Sequence, residues 1–295
     1  MKISVRALPV YDIIVDLSKQ LKVTLEDDCG ELTINLPEKL GKGFIRGSSF
    51  DSGIGIIEYN CTFFKDLEIH FILNKTHPLK FIFCSEGRIE HTFEKDEDLH
   101  TINTYQNIIV SSSGHNGHVL YFKANETTHV SSLEIIREKF NKREHCDFQN
   151  LDSRLKDLFL DLKAKDHFYY LGNYSMKAAD IVDEVNTKQF SGFLRTLFLE
   201  GKTFEMLVIQ IAQYQDDQRE DKLPQILRRS DIEKVEHAVE YINNNLNENH
   251  SVNFLAKEVG TNVNKLQDGF KFLFNLTVNK YMQNAKLESA KELLV

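Results

Sequence analysis

The chain has 295 residues and a formal net charge of −8. The length suits two or three compact domains, and the acidic balance argues against a protein that coats nucleic acid indiscriminately, although it leaves room for one small DNA-binding face. Four widely separated cysteines without a Cys-x-x-Cys pair indicate neither a zinc knuckle nor a disulfide framework. The sequence contains no signal-peptide pattern and no apolar run of about eighteen residues, so we expect a cytoplasmic protein without a membrane partner.

Residues 1–130 are predicted to form a β-rich domain. Short apolar or alternating runs recur there, with turn-forming residues between them. Several short strands at such spacing favour a sandwich or a barrel over an α/β fold. The break at Ser85–Arg88, which contains Gly87, is typical of a β-hairpin. The predicted strands lie near residues 54–59, 67–73, 80–83, 89–93, 108–110 and 118–122.

Residues 131–222 are predicted to be helical and to end in a polar linker at 215–222. Apolar residues at intervals of three, four and seven predict a long amphipathic helix, with Gly201 marking a place of close packing. Burial of this apolar stripe against the β-rich domain is the favoured interpretation, and a face for a partner helix or a second copy is the alternative. The stripe comprises Phe193, Leu197, Phe204, Val208 and Ile211.

Residues 230–295 are predicted to form helices, with a helix-turn-helix unit among them. The small Ala256 allows two helices to approach closely, Gly260 makes the turn, and Leu266 packs the second helix onto the first. We expect the second helix to run over 263–274 and a long helix to follow it. This spacing is typical of a unit that reads DNA.

The C-terminal residues resemble the AraC family of bacterial transcription regulators. Leu255–Gly260 matches the first motif of that family, and Leu287–Leu294 is similar to its linker helix. Lys265–Lys271 and Leu199–Leu207 look most like the subgroup that includes the pyochelin-type siderophore regulators. The resemblance is most specific in the C-terminal part of the chain.

The resemblance implies an α+β fold in three parts. These are an N-terminal cupin-like β-barrel that senses a small molecule (1–130), a helical dimerisation and linker region (131–222), and a C-terminal all-α DNA-binding domain (230–295). Members of the family carry two helix-turn-helix units, whereas this sequence matches the first unit and the connecting helix. We expect the protein to continue beyond Val295, with a natural short variant as the alternative. Because one unit reads few base pairs, we expect weak operator binding by this chain alone.

The resemblance also implies which side chains contact double-stranded operator DNA. Base reading requires side chains near the start of the second helix that point away from its partner helix. The positions that match the family's base-reading set are Asn264, Gln267 and Asp268. The side chains suited to phosphate contact are Asn262, Lys265, Lys271 and Thr277. The alternative is that these polar side chains are simply exposed to solvent and do not contact DNA. The sequence departs from the family at two positions, where Asn275 replaces a usual glycine and Lys286 replaces a usual arginine.

A small-molecule pocket in the barrel is the expected site of the effector. The candidate lining is aromatic, and ordinary core packing is the alternative for each residue. The candidates are Tyr59, Phe71, Phe81, Phe83 and Tyr121. Because of the subgroup resemblance, an iron–siderophore chelate is the leading ligand when single candidates are compared. The three other classes, a sugar, a lipid and an aromatic metabolite, are favoured over it when they are taken together.

A cupin-like domain is also compatible with a metal enzyme, but the sequence lacks the required pattern. A catalytic cupin needs two histidines one residue apart, and no His-x-His occurs here. His115 and His118 are expected to lie in a Ser/Gly-rich turn and not to bind a metal. Neither a Gly-x-Ser-x-Gly motif nor a Gly-x-Gly-x-x-Gly motif occurs, so we expect no enzyme, no metal and no cofactor.

The sequence therefore favours a ligand-responsive transcription regulator that acts as a homodimer. Effector binding to the N-terminal domain is expected to change how the dimer holds its DNA-binding domains. The alternative is a small-molecule sensor or protein-interaction module without independent DNA binding. A metal-dependent cupin enzyme comes third, because the histidine spacing opposes it.

Overall fold

The computed structural model describes residues 1–72, 76–96, 98–112, 116–143, 148, 150–165, 167–172, 175–218, 229–248, 250–274 and 276–292. Contacts between Cα atoms divide the chain into two units, Met1–Gln218 and Arg219–Val295. None of the helices within the described residues is long and apolar enough to cross a membrane.

Among its described residues, the first unit contains β-strands and five α-helices, with a short 3-10 helix at Asn141–Arg143. Its strands are β1 (Lys2–Val5), β2 (Glu26–Asp28), β3 (Glu31–Asn35), β4 (Gly41–Ser49), β5 (Ile54–Phe63), β6 (Leu67–Phe71), β7 (Leu79–Glu86), β8 (Arg88–Phe93), β9 (His100–Asn103), β10 (Asn107–Ser111), β11 (His118–Phe122), β12 (Thr127–Ile135) and β13 (Phe168–Leu171). Its helices are α1 (Val10–Leu21), α2 (Arg137–Phe140), α3 (Ser153–Leu160), α4 (Met176–Thr187) and α5 (Gly192–Gln218).

The strands form two facing sheets. Five strands are ordered β1-β6-β11-β8-β9, and eight are ordered β13-β10-β7-β12-β5-β4-β3-β2. Ile69 and Leu120 of the first sheet share one buried core with Ile57 and Ile82 of the second. Within the described part of the chain no strand pairing joins the two sheets, so the closed barrel expected from the resemblance is wrong.

The chain changes sheets at Gly87, where the sequence predicts a hairpin. Strand β7 pairs with β10 and β12, whereas β8 pairs with β9 and β11. Gly87 has a φ of +70°, and a Cβ atom there would lie 2.1 Å from the carbonyl oxygen of Thr127. Glycine fits this tight turn because it lacks a Cβ atom. The hairpin prediction is wrong, because the turn leads the chain across the core.

Two elements depart from the predicted division into β-rich and helical regions. Helix α1 lies within the region predicted to be β-rich, and its buried residues recur at helical spacing. It packs against β3 and β4. Strand β13 lies within the region predicted to be helical, where it pairs with β10 at the edge of the larger sheet.

The larger sheet carries a second core on its other face. Phe81 of β7 and Leu133 of β12 share this core with Ile181 of α4 and Met206 of α5. Alternate residues of one strand point to opposite faces of the sheet. The neighbours of Phe81 and Leu133 along β7 and β12 therefore point into the space between the sheets.

Helix α5 buries only part of its predicted apolar stripe. Phe204 and Ile211 pack against the second core. Three other members of the stripe are largely exposed, namely Phe193 (72%), Leu197 (51%) and Val208 (64%). A Cβ atom at Gly201 would meet no described atom within 4 Å, so the packing expected there is absent from the described residues. The favoured burial interpretation holds for only part of the stripe.

The predicted linker at 215–222 begins inside a helix. Helix α5 continues to Gln218, so the linker prediction is wrong for 215–218. Residues 219–222 lie outside the described residues. Tyr214 is buried and stacks edge-on against Tyr170, with ring centroids 4.8 Å apart. The Tyr170 hydroxyl also donates a hydrogen bond to Asp217, which anchors the part of the helix that was predicted to be linker.

The second unit contains four described helices, α6 (Arg229–Asn244), α7 (Val252–Glu258), α8 (Val263–Phe274) and α9 (Val278–Glu292). Ala256 and Leu266 are buried, and Gly260 has a φ of +67° in the turn between α7 and α8. The local geometry therefore agrees with the predicted spacing of these residues. The core of the unit consists of Val235, Ala238, Ile242, Leu255, Ala256, Leu266, Phe270, Leu273 and Val278.

Candidate functional site

Three buried histidines lie close together in the first unit, and we call His77, His91 and His118 the histidine cluster. The ring centroid of His118 is 5.5 Å from that of His91 and 6.5 Å from that of His77. Among the described residues, none provides a hydrogen-bond partner for any ring nitrogen of the three. Buried polar atoms are nearly always paired. The cluster is therefore a candidate for contact with a ligand.

Strand register directs two of these imidazoles into the space between the sheets. His118 begins β11 and pairs with Phe93, and His91 of β8 pairs with Leu120. Side chains at paired positions share one face, and Phe93 and Leu120 belong to the core between the sheets. The expectation that His118 lies in a turn is wrong, since it is a buried strand residue. His115 lies outside the described residues.

Arg137 holds the segment that carries His77. Its Nη1 donates a hydrogen bond to the carbonyl oxygen of His77 at 2.9 Å, and its Nε donates to that of Leu158 at 2.7 Å. Its Nη2 donates to the hydroxyl oxygen of Ser111 at 2.6 Å. These charge-assisted bonds fix the backbone just before β7, and they hold the His77 imidazole beside His118.

The imidazoles of the cluster are neutral at neutral pH. Burial, with smaller contributions from His100 and Lys80, lowers the pKa of His91 to about 3. Burial, together with Lys80 and Arg137, lowers the pKa of His77 to about 4. Burial likewise holds the pKa of His118 well below its ordinary value. A neutral imidazole has one donor and one acceptor nitrogen, so each ring offers both to a ligand.

A buried ion pair lies on the same inner face. Lys80 of β7 and Glu134 of β12 occupy paired positions, and the Lys80 ammonium donates to Glu134 Oε1. Lys80 Nζ also lies 4.0 Å from the ring centroid of Phe71. Burial lowers the pKa of Lys80, while Glu134 counteracts this shift. Glu134 Oε2 is buried and has no hydrogen-bond partner among the described residues.

A pocket of about 190 Å³ reaches Glu134. Its walls come from the segment before α1, the turn between β4 and β5, and the end of β12 with the residues after it. Leu8 lines this pocket and also borders a narrower cleft formed with Phe71, His77 and Lys80. Leu8 therefore lies between the pocket and the histidine cluster. The pocket lining is Leu8, Pro9, Val10, Ser49, Phe50, Asp51, Gly53, Ile54, Gly55, Glu134, Ile136 and Lys139.

The aromatic residues predicted to line a pocket are divided among three places. Tyr59 and Phe71 lie in the core between the sheets, and Phe71 stacks on His118 with ring centroids 4.6 Å apart. Phe81 and Phe83 lie in the second core, against the helices. Tyr121 is half-buried and alternates along β11 with His118, so it points away from the space between the sheets.

The polar residues of this site are not evident from the sequence alone. Lys80 and Glu134 each stand within an apolar strand, in Leu79–Phe83 and Leu133–Ile136. A charged residue inside such a run signals either a bulge or a buried ion pair. The pairing of these two residues follows only from the β7–β12 register. In the described residues no group of three or more His, Cys, Asp or Glu side chains is arranged to hold a metal ion.

In the second unit, three of the four residues predicted to contact phosphates lie around the beginnings of α8 and α9, and Lys271 lies in the last turn of α8. Asn262 Oδ1 accepts a hydrogen bond from the amide of Lys265 at 2.8 Å, so Asn262 caps α8. The Thr277 hydroxyl oxygen accepts from the amide of Lys280 at 3.3 Å and caps α9. Asn262, Lys271 and Thr277 are exposed, while Lys265 is half-buried.

The residues predicted to read bases lie on α8. Asn264 is exposed, and Gln267 and Asp268 are half-buried. Gln267 Oε1 accepts a hydrogen bond from the amide of Val278 at 3.2 Å. The side-chain carbonyl of Gln267 thus holds the beginning of α9, which leaves Asn264 as the most accessible of the three. Asn275, where the family usually has glycine, lies outside the described residues.

Comparison with solved structures gives weak similarities. ToxT from Vibrio cholerae is 14% identical, with 78% of this chain and 98% of that chain covered and a TM-score of 0.30. The AraC-like transcriptional activator CuxR is 13% identical, with 88% and 86% covered and a TM-score of 0.33. At these values neither structure supports a functional inference about this chain.

Comparison with protein sequences is more specific. Regulatory protein PchR from Pseudomonas aeruginosa is 30% identical over 114 residues, which are 39% of this chain. The match spans 38% of the length of that relative. The family model of the regulatory protein PchR N-terminal domain matches residues 42–226, which is more than half of the chain. The family match confirms the subgroup resemblance of the upstream segment, and the chain belongs to the regulatory protein PchR N-terminal domain family.

Proposed function

We propose that this chain is a ligand-responsive transcription regulator whose first unit binds a small-molecule effector. The observation that carries this proposal is the group of buried, unpaired polar atoms between the sheets, beside a pocket. An unpaired buried polar atom costs about 1–3 kcal/mol, and a ligand that pairs with such atoms recovers that cost. The role is recognition, and we assign no catalytic step to these residues.

The chemistry of the site is compatible with several effectors. Neutral imidazoles and aromatic rings suit a planar ligand with both donors and acceptors, and an iron–siderophore chelate remains the leading single candidate because of the family. A sugar, a lipid or an aromatic metabolite are the alternatives. Native mass spectrometry of the protein purified from its own host tests the proposal. We expect a small molecule to remain bound, and loss of this mass in a His91→Phe variant; a wild-type protein that is never isolated with a small molecule contradicts the proposal.

We propose further that α7 and α8 act as a helix-turn-helix unit on operator DNA. Asn264 is the leading base-reading residue, since the carbonyl of Gln267 is engaged with α9. Lys271 and the capped beginnings of α8 and α9 are suited to phosphate contact. Asp268 repels phosphate and accepts from a cytosine amino group, so it narrows the range of bound sequences.

Homodimerisation through α5 completes the proposal. The exposed residues Phe193, Leu197 and Val208 follow one another at helical spacing, and Gly201 between them leaves room for a close approach. A second copy offers the same face, so the contact is self-complementary. The same exposed face also favours the alternative of a sensor or interaction module without DNA binding. DNA-binding measurements on the chain separate the two functions.

A further inference from the structure

We propose that the pocket beside Glu134 binds a small, mostly apolar molecule through an N–H or O–H donor that points at Glu134 Oε2. A protonated amine is the preferred donor. This proposal assigns a binding site and a ligand class to the first unit. Its regulatory role rests on the proposed function. Neither the family match nor the histidine cluster specifies this class.

Glu134 supplies the polar contact. Its Oε1 accepts from Lys80, whereas its Oε2 is buried, lacks a partner among the residues that the structure describes, and belongs to a residue that lines the pocket. A carboxylate oxygen is an acceptor only. The ligand group that meets it therefore carries a hydrogen, which a ligand carboxylate lacks.

The rest of the lining fixes the size and polarity of the ligand. Leu8, Pro9, Phe50 and Ile54 give apolar walls, and the volume of about 190 Å³ suits a molecule with a single ring or a short branched chain. Lys139 and Asp51 are exposed at the rim and have opposite charges, so they do not select a net charge. The selection is left to Glu134.

The position of the pocket gives such a ligand a route to α5. Phe50, Asp51 and Gly53 of the β4–β5 turn line the pocket. Ser52, in the same turn, donates a hydrogen bond to Glu200 of α5 at 3.0 Å. A ligand that moves the turn therefore acts on a direct contact with the helix that carries the exposed apolar face.

Three probes of similar shape test the ligand class: benzylamine, benzyl alcohol and benzoate. Each is titrated into the 295-residue chain while backbone amide signals are followed by NMR. We expect benzylamine and benzyl alcohol to shift signals in 49–55 and 134–139, with benzylamine binding roughly tenfold more tightly because a charge-assisted hydrogen bond is stronger. Benzoate is expected to bind at least tenfold more weakly than benzylamine. Equal binding of benzoate, or shifts confined to residues outside the pocket, overturns the proposal.

Variants separate the pocket contact from general attraction of amines. Glu134→Gln removes the negative charge but leaves the Lys80 ammonium without its counter-ion. We therefore also measure the double variant Glu134→Gln, Lys80→Met. If the single variant does not fold, the double variant provides the test. We expect both to lose the preference for benzylamine over benzyl alcohol, while Glu68→Gln on the outer strand face keeps it. A double variant that retains the preference, or a Glu68→Gln variant that loses it, overturns the proposal.

The tests of the site and of the proposed function fail separately. If amines bind at Glu134 in a chain that never binds DNA, the site stands and the regulatory function fails. If the chain binds operator DNA and its effector does not involve Glu134, the regulatory function stands and this site fails.

Discussion

The hydroxyl of Ser52 donates a hydrogen bond to Glu200 Oε1 at 3.0 Å and so joins the β4–β5 turn to α5. One side of that turn lines the pocket, and the other side contacts the helix that carries Phe193, Leu197 and Val208. Two further contacts hold the beginning of α5: the Gly192 amide donates to Asp28, and Arg195 pairs with Glu31. These contacts tie α5 to the larger sheet and to its β4–β5 turn.

The first prediction concerns the Ser52–Glu200 contact. We expect Ser52→Ala to lower the free energy of unfolding by about 1 kcal/mol, because it removes a largely buried hydrogen bond. Glu200→Ala removes the acceptor of the same bond and is expected to have a similar cost. Urea unfolding of both variants and of the double variant measures the coupling between the two residues. Fully additive effects would show that the hydrogen bond contributes nothing.

The second prediction compares two ion pairs. The Arg195 guanidinium makes two bonds to Glu31, at 2.8 and 2.9 Å, and its side chain is 5% exposed. We expect Arg195→Met to destabilise the first unit by about 3 kcal/mol, since it removes both close bonds to Glu31 and leaves that carboxylate, 11% exposed, with only the longer contact to Arg46 at 3.5 Å. The matched control is Arg88→Met at the Arg88–Glu126 pair, where Arg88 is 51% exposed, with an expected cost of about 0–1 kcal/mol. Similar losses in thermal unfolding for the two variants would contradict the assigned role of Arg195.

The third prediction concerns pH. Folding lowers the pKa of His91 from 6.5 to about 3 and that of His77 from 6.5 to about 4. The unfolded chain therefore binds more protons than the folded chain below pH 6.5, and stability falls as the pH decreases from there toward the folded pKa values. At a pH one unit below 6.5 each of these histidines is expected to cost about 1.4 kcal/mol.

Urea unfolding between pH 7.5 and pH 5.5 measures this loss. The His91→Phe variant is expected to show a shallower dependence on pH, because one of the groups that take up protons on unfolding is absent. Burial raises the pKa of Glu58, but His129 and Arg46 together outweigh burial and lower it in the folded state. Protonation of Glu58 therefore adds a loss only at more acidic pH, below its ordinary value of 4.5. A wild-type stability that is constant from pH 7.5 to pH 5.5 would contradict the burial of neutral imidazoles.

The fourth prediction concerns α5 as a dimer face. We expect Leu197→Asp to weaken self-association by at least about tenfold, because it places a charge in an apolar contact. Leu171→Asp serves as the control, since Leu171 is also exposed but lies on β13. Sedimentation velocity over a range of protein concentrations measures both variants. Unchanged association of the Leu197→Asp protein would exclude this face as the dimer contact.

Much of the local structure follows from the sequence, whereas the arrangement of the sheets does not. The strands at 54–59, 80–83 and 118–122 and the helix at 263–274 are present, because their periodicity reports local burial. The sequence around Gly87 is compatible with a hairpin and with a crossing between sheets. Which of the two forms depends on strands that are distant in sequence. Strands β10 and β12 pair with β7 in one sheet, and β11 pairs with β8 in the other.

The candidate site shows the same limit. Alternation along β7 separates Lys80 from Phe81, but it does not tell which face of the strand is the interior. The aromatic face of β7 turned out to pack against helices, and the face with Lys80 points between the sheets. The histidine cluster combines residues from β8, β11 and the segment before β7. Its members become neighbours only through the two-sheet topology.

Selection of bound sequences from a random DNA library tests most directly the claim that this chain is a DNA-binding regulator. The 295-residue chain is incubated with the library at low salt, and the retained fragments are sequenced. We expect an enriched sequence whose affinity decreases as the salt concentration rises, and whose enrichment is lost in an Asn264→Ala variant. A library that emerges without an enriched sequence would contradict the account and favour the interaction module instead.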